Sequence, residues 1–127
     1  MKRDNFRILP PKGIFIAKSS VHGFGVFASK NFKKDDVIEV SPFIRVVKNV
    51  EMLQYTNLRR YVFDDYHKKS CSLVGLGFTS VYNHSNDADA EFDFTDMFVV
   101  IQAIKNIKKG SEIFLDYGEG YDYEGFC

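Results

Sequence analysis

The 127-residue sequence predicts one mostly β domain with short helices, built from several small sheets. Three observations carry that expectation. Short runs rich in Val, Ile and Phe recur between clusters of Gly, Pro, Asn and Asp. A stretch from Val50 to Arg60 has helical spacing and lacks Gly and Pro. No alternation of strands with long helical patterns supports a doubly wound sheet.

The elements follow in order. Residues 1–12 are polar, end in Pro10-Pro11, and read as a tail. Ile14 to Ala17 is strand-like. Gly23 and Gly25 mark a turn before Val26-Phe27-Ala28. Val37 to Val47 is strand-like and interrupted at Ser41-Pro42, where proline argues for an edge, a bend or a break because it cannot donate to a ladder. Val50, Leu53, Leu58 and Tyr61 share a helical face with Asn49 as a candidate N-cap. Phe78 to His84 suggests a short helical turn. Glu91 to Phe94 alternates polar and aromatic residues, and Met97 to Ile101 suits a buried strand. Residues 28–40 (ASKNFKKDDVIEV) echo residues 103–115 (AIKNIKKGSEIFL) without gaps. Each copy reads as a strand end, a solvated Lys-Lys turn and a new strand. Two copies predict two similar β-units, not a solenoid.

Thirteen Phe and seven Tyr, with no Trp, predict a Phe-rich core and leave Tyr hydroxyls for a polar ligand. Net charge is zero but polarised. Residues 1–63 carry twelve Lys or Arg against five Asp or Glu, and residues 64–127 the reverse. If the fold does not interleave the halves, the acidic half suits a basic peptide. No Arg-rich run or aromatic-basic interleaving points to direct nucleic-acid binding. Cys71 and Cys127 give neither a disulfide framework nor metal spacing, and His22, His67 and His84 add no ligand pattern, so no metal is expected. The start of the chain has no signal-like apolar region and no run approaches a membrane span. A soluble, intracellular protein is expected, in the cytoplasm if bacterial and in the nucleus or on chromatin if viral or eukaryotic.

Three segments offer chemistry. His22-Gly23-Phe24-Gly25 has two glycines that permit a tight turn or a close backbone approach to a ligand, but lacks the third glycine of a dinucleotide fingerprint. Tyr82-Asn83-His84-Ser85 brings several donors and acceptors together after an apolar stretch, with no nucleophile elbow nearby. Glu112-Ile113-Phe114-Leu115-Asp116-Tyr117-Gly118 is a strand ending in Tyr and Gly.

In this order, the three segments resemble the SET-domain family of protein lysine methyltransferases, most nearly the short bacterial and viral members. The resemblance runs over 13–121 as one domain and leaves 122–127 as a short tail. It implies a β-clip-like fold of small sheets with a knot-like C-terminal crossing. It also implies transfer of a methyl group from S-adenosyl-L-methionine to a lysine of a basic protein, such as a histone or histone-like protein. Carried over by position, Tyr117 would be catalytic. His22, Gly23, Phe24, Gly25, Tyr82, Asn83, His84 and Tyr117 would hold the cofactor. Tyr61, Tyr121, Phe24 and Leu115 would line the lysine channel. Leu115 lies where side-chain size affects the number of methyl groups added.

Two departures stand out. Ala88 and Asp89 replace the family's Pro-Asn pair, and Ser80 replaces an Arg. The family's closing zinc segment is missing, so Tyr121, Tyr123 and Phe126, or the second subunit of a homodimer, are left to cover the channel. The alternative is a catalytically inactive SET-like module that binds a basic peptide.

Overall fold

The computed structural model describes residues 8–47, 62–64 and 71–118; the side chains of Val47, Val62 and Asp64 are not described. The helix expected at 50–60, and the residues Tyr61 and Tyr121, lie outside the described residues. Among the described residues nine strands carry the architecture: β1 (Ile14–Lys18), β2 (Phe24–Ala28), β3 (Val37–Val47), β4 (Val62–Asp64), β5 (Cys71–Gly75), β6 (Asn83–His84), β7 (Ala90–Phe94), β8 (Phe98–Ala103) and β9 (Glu112–Leu115). Among the described residues there is no helix. Their order in the sheet is β1-β2-β9-β7-β8-β3-β5-β4, with β6 joined to β9. Strands of the first half thus lie beside strands of the second, which brings the basic and acidic halves together.

Strand β3 is continuous through Pro42. It pairs with β8 over Val37 to Pro42 and with β5 over Phe43 to Val47. Proline therefore sits where the strand changes partner, and its carbonyl still accepts from the Leu76 N–H at 3.0 Å. The segment expected as a helical turn at 78–84 divides into a hydrogen-bonded turn over 77–81 and strand β6.

The internal echo is a pairing unit. Phe32 and Ile107 exchange both backbone hydrogen bonds, at 2.9 and 2.8 Å. The flanking bonds are reciprocal. Ala28 donates to Ser111 O and accepts from Gly110 N; Ala103 donates to Asp36 O and accepts from Asp35 N. Even the side-chain ties match: Asn106 Oδ1 accepts from Lys34 N and Asn31 Oδ1 from Lys109 N. The two turns need a left-handed residue at the same place, Asp35 (φ 75°) in one and Gly110 (φ 91°) in the other. Lys33, Lys34, Lys108 and Lys109 are exposed on these turns.

The core is formed by alternate residues of β7, β8 and β9 with Val26, Phe63 and Leu73. Val99, Ile101, Ile113 and Leu115 are fully buried. In the 77–81 turn, Thr79 is fully buried and its Oγ1 has no partner. Its Cγ2 packs only 2.5 Å from where a Cβ on Gly75 would stand. A buried hydroxyl without a partner costs about 1–3 kcal/mol. Thr79→Val keeps that methyl and removes the hydroxyl. It should stabilise the fold by about 1 kcal/mol, raising the thermal midpoint by about 4 °C. A lower midpoint in a calorimetric scan would contradict the absence of a partner.

Candidate active site

The site is built on a crossing of two chain segments. Leu115 of β9 pairs with His84 of β6 on one edge and with Ala90 of β7 on the other, in parallel. Residues 83–90 therefore straddle the last strand. Ser85 N and Asp89 N donate to Leu115 O and Phe114 O, both at 3.0 Å.

The family's Pro-Asn position is occupied without loss of these ties. Ala88 is buried. Asp89 Oδ2 accepts from Phe114 N at 3.0 Å, and Lys105 stands 3.8 Å from its other oxygen while pairing with Asp87 at 3.0 Å. Burial raises the Asp89 carboxyl above its ordinary value of 3.8; the Phe114 amide and Lys105 oppose that rise. The folded form thus binds this proton more tightly than the unfolded form. Between 3.8 and the raised value, stability falls as pH rises. Asp89→Asn retains an acceptor for Phe114 N and removes the charge. It should abolish this fall and match or exceed the native protein at pH 7, by less than about 1 kcal/mol, because the exposed pair it loses is worth little. Denaturant midpoints across that window measure it; an unchanged slope would exclude Asp89 as its source.

A second set of bonds shapes the loop before β2. Asn83 is buried, and its Nδ2 donates to His22 O (2.9 Å), Phe24 O (3.1 Å) and Glu112 Oε2 (2.8 Å). Three acceptors around one nitrogen fix which end of the amide is NH2. Ser19 Oγ donates to Glu112 Oε1 at 2.7 Å and accepts from Val21 N and His22 N. Gly25 lies inside β2 and not in the turn. Its need for glycine is spatial, since a Cβ there would collide with the Glu112 carboxylate. Gly23 has the positive φ, 48°, and open space around it.

Tyr117 closes the arrangement. Its N–H donates to His84 Nδ1 at 2.9 Å, so the neutral ring carries its proton on Nε2, facing Asn86 Oδ1 at 3.1 Å. Its hydroxyl donates to the Tyr82 carbonyl at 2.7 Å. Its ring packs on Phe63 (5.4 Å between centroids), Phe92 (6.0 Å) and His84 (6.0 Å). The Tyr82 phenol is pushed well above its ordinary range by burial, then by Glu39. It remains a neutral donor to Glu39 Oε1 at 2.8 Å.

Several described site residues are therefore joined: His22 and Phe24 to Asn83, and Tyr82 and His84 to Tyr117. Phe24 is 67 % exposed, whereas Leu115 is fully buried beneath the crossing. Five side chains that touch these residues were not among the sequence candidates: Ser19, Glu39, Phe63, Phe92 and Glu112. Glu112 opens the Glu-Ile-x-x-Asp-Tyr-Gly segment and could have been suspected there. Among the described residues no three His, Cys, Asp or Glu side chains cluster as a metal site. No helix among them is long and apolar enough to cross a membrane.

The arrangement can be compared with known proteins. A Plasmodium falciparum protein, described as a candidate histone methyltransferase, is 30% identical and superposes with a TM-score of 0.71, covering 90% of this chain and 98% of its own. Polycomb repressive complex 2 of Chaetomium thermophilum matches 89% of this chain at 19% identity and a TM-score of 0.72. A humanized mutant of that complex, bound to the inhibitor GSK126, matches 87% at 20% identity and 0.70. This chain spans only 16% and 15% of those two longer chains, and they speak to the fold alone. A family model of the SET domain matches residues 23–118, which hold the glycine loop and both threads of the crossing. The chain belongs to the SET-domain family.

Proposed function

We propose that this protein is an S-adenosyl-L-methionine-dependent protein lysine N-methyltransferase acting on a basic protein of histone or histone-like character. One observation carries the proposal most: the Tyr117 proton is committed to the Tyr82 carbonyl. With its hydrogen so directed, the phenol oxygen can act toward a further group only as an acceptor, beside the aromatic packing of Phe63 and Phe92. Such an oxygen can hold an amine without protonating it. The relative from Plasmodium falciparum supports the reaction class.

The residues fit the cofactor. Space is open above Gly23, and Val21 and Phe24 expose apolar surface on the same loop, as a flat nucleoside would require. His22, Gly23, Phe24, Gly25, Tyr82, Asn83, His84 and Tyr117 would hold it, with Asn83 acting by fixing the loop. When bound, S-adenosylmethionine supplies a methyl group already activated on sulfur. The protein's task is then orientation. A free lysine, with a pKa of about 10.4, must arrive as the neutral amine, and an aromatic, desolvating wall favours that form. Tyr61, Tyr121, Phe24 and Leu115 would line the lysine channel.

The test is transfer of labelled methyl from S-adenosylmethionine to a panel of histones and other basic proteins. Wild-type protein should label lysine. Tyr117→Phe, which removes one hydrogen-bonding hydroxyl, should label about tenfold more slowly. Absence of any transfer, or equal transfer by the variant, would overturn the assignment.

A further inference from the structure

Glu39 is 2% exposed, and no cationic group among the described residues pairs with it. A carboxylate taken out of water is costly unless donors surround it. The fold places it inside deliberately. Between Val37 and Glu39 the register of β3 on β8 shifts, so that Ile38 and Glu39 are both buried in succession. Such a bulge re-aims a side chain that strict alternation would send outward.

Three donors meet the carboxylate. Oε2 accepts from Ser41 Oγ at 2.5 Å and from Phe78 N at 2.7 Å; Oε1 accepts from Tyr82 Oη at 2.8 Å. Gly77 makes the approach possible. Its φ is 62°, and a Cβ there would stand 2.6 Å from Glu39 Oε2 and collide with Ser41 Oγ. Phe78 lies near the start of the 77–81 turn, and Tyr82 follows its end and leads into β6. Glu39 thus grips the turn at the Phe78 amide and at the side chain just beyond it. The residue gripped last, Tyr82, offers its carbonyl to the Tyr117 hydroxyl.

An apolar cluster of the same volume would hold β3 against the turn equally well. What it would not do is fix the turn's rotation, and with it the direction of the Tyr82 carbonyl. We infer that Glu39 is a positioning residue of the methyl-transfer site, setting the Tyr82 carbonyl that receives the Tyr117 proton. This rests on the proposed lysine methyltransferase activity. Nothing requires Glu39 to touch cofactor or substrate.

Glu39→Gln is the direct probe. Its one carbonyl oxygen can serve Phe78 N–H and Ser41 Oγ only by setting the NH2 against Tyr82 Oη, where it donates instead of accepting, so the Tyr82 arm is reversed and loses its charged acceptor while volume is kept. With saturating cofactor, kcat for a lysine peptide should fall about tenfold, and the dissociation constant for S-adenosylhomocysteine should change less than about threefold. The decisive comparison is the Tyr117→Phe background. There Glu39→Gln should cost less than about twofold, because the hydroxyl it serves is gone. An equal loss in both backgrounds would mean a general structural role and would overturn the inference.

The Tyr117 13Cζ resonance gives a readout that needs no activity. It should shift in Glu39→Gln, and an unmoved resonance would overturn the inference. If wild-type protein transfers no methyl group yet this resonance shifts, the positioning stands and the enzymatic assignment fails. Should Glu39→Gln fold poorly, Tyr82→Phe removes a single donor. It should show the same dependence on Tyr117 at about threefold in kcat, and equal losses in both backgrounds would count against it in the same way.

Discussion

Replacing Asn83 with alanine is expected to cost about 3 kcal/mol of stability and to weaken cofactor binding by well over tenfold. Asn83 Nδ2 ties the His22 and Phe24 carbonyls, on the loop, to Glu112, on β9. Alanine leaves Glu112 with Ser19 but without its amide partner, and leaves two carbonyls short of a donor. A bond to a charged acceptor contributes about 1.5–3 kcal/mol, and the stranded carbonyls add to the loss. The loop would then have to be ordered at the expense of binding. Asn83→Asp separates this account from simple loss of packing. It preserves shape but sets a carboxylate against Glu112 and two carbonyl oxygens. The expected order of stability is wild type, then alanine, then aspartate, read from urea midpoints. An aspartate variant more stable than the alanine variant would show that donation by Asn83 is not what holds the loop.

How far the sequence could be read follows from what each residue answers to. The β-rich class and strand positions were legible because short apolar runs mark the strands, and in β8 and β9 Val99, Ile101, Ile113 and Leu115 are buried at alternate positions. The crossing was legible only through the family resemblance that its two threads, Asn83-His84-Ser85 and Asp116-Tyr117-Gly118, carry in order. The echo at 28–40 and 103–115 was visible as similarity, but similarity carries no register. That Phe32 faces Ile107 is a property of the assembled sheet. Glu39 was hidden for a related reason. In a run of Val and Ile, a single Glu reads as the outward face of a strand, and only the bulge beside it turns it inward. Gly25 was read as a turn residue because glycine usually serves conformation. Here it serves space, and the carboxylate that needs the space lies 87 residues on, at Glu112. Pro42 was expected to put β3 at an edge, to bend it or to break it, because proline cannot donate. It does not break it, because the strand changes partner there.

Phe63→Ala should have the largest effect on the fold, about 3–5 kcal/mol. Phe63 is 6% exposed and its ring meets those of Phe92 (4.9 Å), Phe94 (5.2 Å) and Tyr117 (5.4 Å). Total stability of a domain is typically about 5–15 kcal/mol, so the alanine variant would sit close to the edge of folding. Its activity alone would then say little about the site. Phe63→Leu separates the two roles. Leucine fills most of the volume, limiting the stability loss to about 1 kcal/mol. It also removes the ring-to-ring contact beneath Tyr117, worth about 0.5–1.5 kcal/mol beyond burial. If that contact orients Tyr117, Phe63→Leu should slow methyl transfer several-fold while leaving S-adenosylhomocysteine binding unchanged. Calorimetry and single-turnover transfer measure the two separately. Transfer unchanged in a folded Phe63→Leu protein would place Phe63 in the core alone, with the Tyr117 ring held by Phe92 and by the backbone bond to His84.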